Sequence, residues 1–240
     1  MRRVVRGFWG PRVEPAEALA RRWKLTLDQL TGLLPAGGSG AVAADVRTWR
    51  QIRSSGPATD LLQDEESLLT ALHAAQEADG WSARIGYGLQ LVLAAEPDWK
   101  VEVSGTGGGT SEFLLQSVVI GIKSPDSAEI PDAELLTAVA EVWEPDFGDV
   151  TDDDVLDALE DDGGFAVGEP SIGWIGYLSP GRAALLPDGV AAARKELRGG
   201  GVLLDIAPRG DVKDVLRAYL QLRDAGVLQP LPSPMERAAL

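Results

Sequence analysis

The sequence predicts an α+β fold: a single domain built on a largely antiparallel sheet, with helices packed mainly on one face. Three observations carry that expectation. Apolar residues alternate with polar residues or glycine over 83–93 and again over 99–104, the period of two that marks half-buried strands. Apolar residues recur at steps of three and four over 15–34 and 211–225, the spacing of amphipathic helices. No internal repeat and no long linker interrupts the 240 residues, whose 45% hydrophobic content suffices for one well-buried core. The domain is placed at 1–229, with 230–240 a Pro-containing tail expected to be frayed.

Residues 2–9 read as the first strand. It enters a corner, Gly7-Phe8-Trp9-Gly10-Pro11-Arg12, in which glycine permits unusual backbone angles and proline fixes its own. Arg6 and Arg12 flank it, and nothing in it forms a catalytic constellation. Leu19, Trp23, Leu27, Leu30 and Leu34 line one side of the next helix; Pro15 suits its first turn, and Pro35 ends it before a flexible loop over 36–40. Val46, Trp49 and Ile52 suggest a short helix over 45–53. Asp64 is a good N-cap for a helix burying Leu68, Leu72 and Ala75, which Asp79-Gly80 stops. Strands follow over 83–93 and 99–104, and 105–109 is a Gly-rich link. The segment 113–122 is apolar on nearly both faces and belongs in the middle of the sheet. The three strands form an antiparallel meander.

Pro131 opens a helix carrying Leu135, Leu136 and Val139, and a short strand follows Trp143-Glu144-Pro145-Asp146-Phe147. Thr151-Asp152-Asp153-Asp154 has capping-box spacing for a short helix with Val155, Leu156 and Leu159. Residues 171–178 read as a strand. Residues 190–197 fit either state: three alanines argue helix, while Gly199-Gly200-Gly201 and the apolar run after it argue hairpin. The last helix, 211–225, buries Val212, Val215, Leu216, Tyr219 and Leu222, and Gly226 caps it.

Charge is unevenly placed. The net is −15, yet residues 1–53 carry ten Lys/Arg against four Asp/Glu. From Asp126 to Asp162 there are fifteen acidic residues and no basic one. Solubility alone would account for an acidic surface; the sharper reading is a surface shaped to meet a basic partner. Direct binding of nucleic acid is disfavoured, because phosphates would be repelled. Without cysteine there is neither a disulfide framework nor a Cys-based zinc site. No run is long enough to cross a membrane and no apolar signal core opens the chain, so the cytoplasm is the expected location.

Enzyme motifs do not assemble. The single histidine, His73, falls mid-helix and reads as a surface residue; a Ser-His-acid triad would need it, and no Ser lies in a Gly-x-Ser-x-Gly turn. Gly105-Thr106-Gly107-Gly108-Gly109 lacks the phosphate-loop form and precedes a strand. Asp146-Phe147-Gly148 matches a kinase tripeptide by letters only. Counting from Asp152, an EF-hand fails at positions five and six, Leu156 and Asp157, and helix-dipole stabilisation explains the acids at that helix start. No catalytic residue, metal or cofactor is expected. The seven tryptophans read mainly as core.

The corner over 7–12, with the Leu19-Ala20-Arg21-Arg22-Trp23 helix start, resembles the immunity protein 52 family of bacterial polymorphic toxin systems. So do Trp143-Glu144-Pro145-Asp146-Phe147, the run Gly173-Trp174-Ile175-Gly176-Tyr177-Leu178-Ser179, the segment 199–204 and the segment 225–230. Phe8 stands where the family suggests Tyr, and Phe147 where it suggests Trp. The resemblance implies a non-enzymatic antidote that binds a co-encoded toxin, typically a nuclease with a restriction-endonuclease-like fold. Gly7, Phe8, Trp9, Gly10, Pro11, Arg12, Trp23, Trp143, Trp174 and Tyr177 are then scaffold. The window without Lys or Arg nominates Glu144, Asp146, Asp149, Asp152, Asp153 and Asp154 as the surface that meets a basic toxin. The alternative surface is the outward side of 83–104, with Arg84, Gln90, Lys100 and Glu102. An acidic adaptor that neutralises no toxin is the competing function.

Overall fold

The computed structural model describes residues 2–34, 48–53, 56–77, 80–96, 99–190 and 192–240. The first strand, β1 (Arg2–Trp9), lies mid-sheet. On one side of it follow β6 (Gln116–Lys123), β5 (Trp99–Gly107), β4 (Tyr87–Glu96), β2 (Trp49–Gln51) and, at the edge, β3 (Thr59–Leu61). On the other side follow β7 (Phe147–Thr151), β8 (Ile175–Leu178), β10 (Val202–Asp205) and the edge strand β9 (Ala193–Glu196). All nine pairings among the described residues are antiparallel, and β4, β5 and β6 form the expected meander.

Period-two burial sets the faces. Leu89, Leu91 and Leu93 of β4, Val101 and Val103 of β5, and Val118, Ile120 and Ile122 of β6 are buried together under three helices. These are α1 (Ala16–Leu33), α2 (Glu65–Gln76) and α3 (Asp132–Trp143). Two further helices, α4 (Asp153–Asp161) and α6 (Val212–Asp224), pack on each other, and α4 stands over the opposite side of β1 and β7. A single turn, α5 (Pro180–Ala183), follows β8, with Ser179 as N-cap and Pro180 in its first turn.

Several elements differ from the sequence reading. The described part of 45–53 is a strand, β2, in which Trp49 and Gln51 are buried and Arg50 is exposed; residues 45–47 lie outside the described residues. The three-residue steps of its apolar side chains suit a helix, but pairing with β4 decides the state. The loop over 36–40 and Asp79 also lie outside the described residues. Residues 83–85 form a turn clasping 110–111, so β4 starts only at Tyr87. Gly105 and Gly107 belong to β5 rather than to a link. They make room for their neighbours: a Cβ on Gly107 would lie 2.9 Å from Leu19 Cδ2 of α1, and one on Gly105 would meet the Ser117 carbonyl of β6 and lie 3.3 Å from Trp23 Cη2 of α1. Asp152, not Thr151, is the α4 N-cap, its carboxylate accepting from Val155 N–H at 3.2 Å. The strand expected over 171–178 shortens to β8. The open choice over 190–197 resolves as β9, whose Arg194, Lys195 and Glu196 are exposed, a charged edge that resists further pairing.

The tail is docked rather than frayed. Gly10 N–H donates to the Ala238 carbonyl and Met235 N–H to the Glu112 carbonyl, each at 2.8 Å. Leu231 and Met235 are buried. The reason for glycine in the opening corner is also different. Neither Gly7 nor Gly10 has a positive φ. What each needs is space: a Cβ on Gly7 would lie 2.9 Å from Val139 Cγ1 of α3, and one on Gly10 would meet the Arg237 carbonyl.

Candidate functional site

Successive β1 residues point to opposite faces. Trp9 turns toward α1 and α3 and stacks on Trp143 with ring centroids 5.4 Å apart; Trp23 meets Trp143 edge-on at 5.2 Å. The Trp143 indole N–H donates to Thr26 Oγ1 at 2.8 Å. Helix α3 has no basic residue in its last turn. Two arginines from the start of the chain serve its C-terminal carbonyls instead. Arg12 lies over the Trp9 ring and donates to the Trp143 carbonyl at 2.8 Å, and Arg22 donates to the Val142 carbonyl. Glu14 accepts from both guanidinium groups. Pro11 is half-buried.

Phe8 turns the other way and stacks on Phe147 at 5.2 Å. Buried Trp174 donates its indole N–H to Asp132 at 3.0 Å, and Asp132 accepts from Arg3 at 2.6 Å. Tyr177 is buried on β8, and its hydroxyl is pushed up to about 12, first by burial and then by the charges of Glu144 and Asp146.

The six acidic residues singled out from the sequence do not form one surface. Asp146 is fully buried. Its Oδ2 accepts from Arg182 at 2.6 Å, and its Oδ1 accepts from Ser179 Oγ at 3.2 Å and from Leu240 N–H at 3.0 Å. Asp149 is buried too, in a two-point pair with Arg6 at 2.8 and 2.7 Å and a hydrogen bond from Ser171 Oγ at 2.8 Å. Burial pulls the Arg6 guanidinium down, but the charge and hydrogen bonds of Asp149 outweigh it and hold Arg6 above its ordinary value. Neither Asp146 nor Asp149 can reach a partner, so both are corrected from contact residues to internal ones. The alternation of a five-residue strand buried on both faces, β7, puts Asp149 inside. Asp152 is engaged as the α4 cap and lies 3.9 Å from Arg209. Asp153 is exposed and pairs with Arg2 at 3.2 Å. Glu144 is exposed, follows α3 in the left-handed region at φ 47°, and pairs with Arg22 at 3.2 Å. Only Asp154 is exposed without a basic partner among the described residues.

Beyond these six, α4 continues with Asp157, Glu160 and Asp161, and Asp162 caps it; all four are exposed. The sequence window contained them, but nothing in the sequence separated them from acids that turn inward. Arg182, Ser171 and Ser179 were missed because their partners lie more than twenty positions away; the one local signal was Ser179-Pro180, a helix start. On the alternative surface, Arg84 lies in the 83–85 turn, Gln90 is exposed, and Lys100 pairs with Glu102 at 2.7 Å. Lys123 and Arg2 stand beside that pair, so this side of the meander is not acidic.

Among the described residues no three His, Cys, Asp or Glu side chains are placed to hold a metal, and no helix is long and apolar enough to cross a membrane. Fold and charge define the class: an α+β protein presenting one strongly acidic surface helix. The chain belongs to the family Immunity protein 52, whose model matches residues 4–209, in agreement with the resemblance of its motifs. No curated protein matches it. In fold it is similar to Pseudomonas aeruginosa T6SS protein PA0821, with 14% identity and a TM-score of 0.50 over 95% of this chain and 76% of that one.

Proposed function

We propose that this chain is an antidote: it binds a cognate toxin, a nuclease with a restriction-endonuclease-like fold, and covers the toxin's basic active-site surface with the outer side of α4. It acts in the cytoplasm and performs no chemistry. Family membership supports the immunity role. The observation that carries the binding surface is the C-terminal half of α4. Acids at a helix start are stabilised by the dipole and need no further reason. Glu160, Asp161 and Asp162 sit at the opposite end, where the helix's own last turn holds no basic residue and the nearby Arg223 of α6 donates to the Gly163 carbonyl and pairs with Asp224. There each opposes the dipole by about 0.3–1 kcal/mol, and Asp157 with Asp161 adds a like-charge pair one turn apart. A fold has no use for that arrangement; a protein that must capture a phosphate-binding surface does, because a focused negative field raises the association rate.

The test uses the toxin domain encoded in the adjacent reading frame. Co-expression restores growth, and stopped-flow mixing gives a fast, salt-sensitive association. The triple variant Asp154→Lys, Asp157→Lys, Asp161→Lys slows association about tenfold at low salt and flattens its salt dependence, with the fold intact. An unchanged rate would move the interface off α4. Binding without rescue of growth would assign the adaptor role instead.

A further inference from the structure

Beside α4 the outer side of the sheet is not closed over. A cleft of about 290 Å³ opens there, floored by the stacked Phe8 and Phe147 rings and walled by Leu115, Leu156, Phe165 and Val167. Its volume exceeds the ~150 Å³ of an apolar cavity that accommodates benzene, so it admits a side chain the size of Leu, Met or Phe. A second hollow of about 150 Å³ continues from it past Leu115 and Phe147 to Phe113. The rim is unusual for a protein surface: Val167 is 88% exposed and Phe113 62%. Large apolar side chains held in water at the mouth of an apolar cleft mark a binding site more often than a defect of packing.

The polar groups at the rim carry one sign. Glu160 and Glu169 line the cleft and Glu112 lines its extension. The one basic side chain lining the cleft, Arg6, is committed to Asp149 and Ser171. A ligand suited to this site is therefore apolar at its tip and cationic at its base. Glu160 belongs both to the cleft rim and to the acidic side of α4, so the two surfaces are continuous.

We infer that this cleft is the anchor site for the toxin: it takes one bulky apolar toxin side chain whose neighbouring Lys or Arg residues meet Glu160 and Glu169. The inference rests on the antidote reading and adds a division of labour to it. The α4 carboxylates set how fast the partners meet, and the cleft sets how long they stay, because buried apolar anchors dominate dissociation while exposed charges dominate encounter.

Surface-immobilised toxin domain from the adjacent reading frame is the probe, with association and dissociation rates read separately. Phe113→Ser with Val167→Ser touches only exposed side chains. It raises the dissociation rate at least tenfold and leaves the association rate within about twofold, while the α4 triple variant does the reverse. Wild-type binding with a dissociation rate that the double variant does not change overturns the cleft and leaves the antidote reading standing. Failure of the wild-type chain to bind this toxin overturns both. If light scattering instead finds a dimer that the double variant dissolves, the cleft serves a second copy of the chain and the inference falls.

Discussion

Replacing Asp146 by Asn tests whether the corner of the fold depends on a buried charge pair. Both Asp146 and Arg182 are 0% exposed, and their oxygen and nitrogen are 2.6 Å apart. The substitution keeps size and one acceptor but removes the charge opposite the guanidinium. An uncompensated buried partner typically costs about 3–5 kcal/mol. Arg182 retains its bond to the Val227 carbonyl and its position over the Phe147 ring, which places the expected loss near the lower end of that range, about 3 kcal/mol. Against a total stability of roughly 5–15 kcal/mol, that is a large shift of the unfolding midpoint in urea at constant slope. Removing both charges, Asp146→Asn with Arg182→Met, leaves no orphaned ion and recovers at least ~1.5 kcal/mol of the loss. A single variant within about 1 kcal/mol of wild type, or a double variant no better than the single, would refute the argument.

Four further outcomes follow from the same geometry. Gly7→Ala pushes a methyl group against Val139 and costs about 1–3 kcal/mol in urea unfolding; Val139→Ala in the same chain returns part of it. Asp161→Lys relieves the helix end and raises stability by about 0.3–1 kcal/mol, while it slows toxin association. Tyr177, raised to about 12 when folded against roughly 10 when unfolded, contributes stability that is complete below pH 10 and lost as pH rises toward 12. Alkaline unfolding of Tyr177→Phe is therefore shallower across that window, with the residual slope including Tyr219, which burial also raises. Amide exchange at Gly10 and Met235 is slow in the full chain, and deletion of 236–240 makes the Gly10 amide exchange quickly.

Much of the fold was legible because its periods are local. The stripe Leu19-Trp23-Leu27-Leu30 gives α1 its direction, and Leu89-Leu91-Leu93 gives β4 its buried face, whatever the rest of the chain does. What could not be read is what depends on a distant partner. Trp49 is in a strand because β4 offers it an edge. Gly105 and Gly107 look like a loop until α1 lies over them. The tail looks disposable until Gly10 and Asp146 bind it. The cleft was invisible for the same reason: Phe8, Leu115, Leu156 and Val167 come from four separate segments.

The acidic window shows how such distance misleads a charge argument. Among the described residues at least six of its fifteen carboxylates face arginines: Asp132 with Arg3, Glu144 with Arg22, Asp146 with Arg182, Asp149 with Arg6, Asp152 with Arg209 and Asp153 with Arg2. Four of those arginines come from the first 53 residues, so the excess of positive charge there is partly engaged in holding β1 and α1 against the acidic segment. A field that steers a partner is set by what remains exposed: Asp154, Asp157, Glu160, Asp161 and Asp162 cluster on and just after α4, and Glu129, Glu134 and Glu141 are exposed elsewhere in the window. Charge reversal at Asp149 would therefore abolish protection in a growth assay by unfolding the protein, and would mimic the loss of a contact. Reversal at Asp157 leaves the core untouched, so a slower encounter measured with that variant reports on the surface itself.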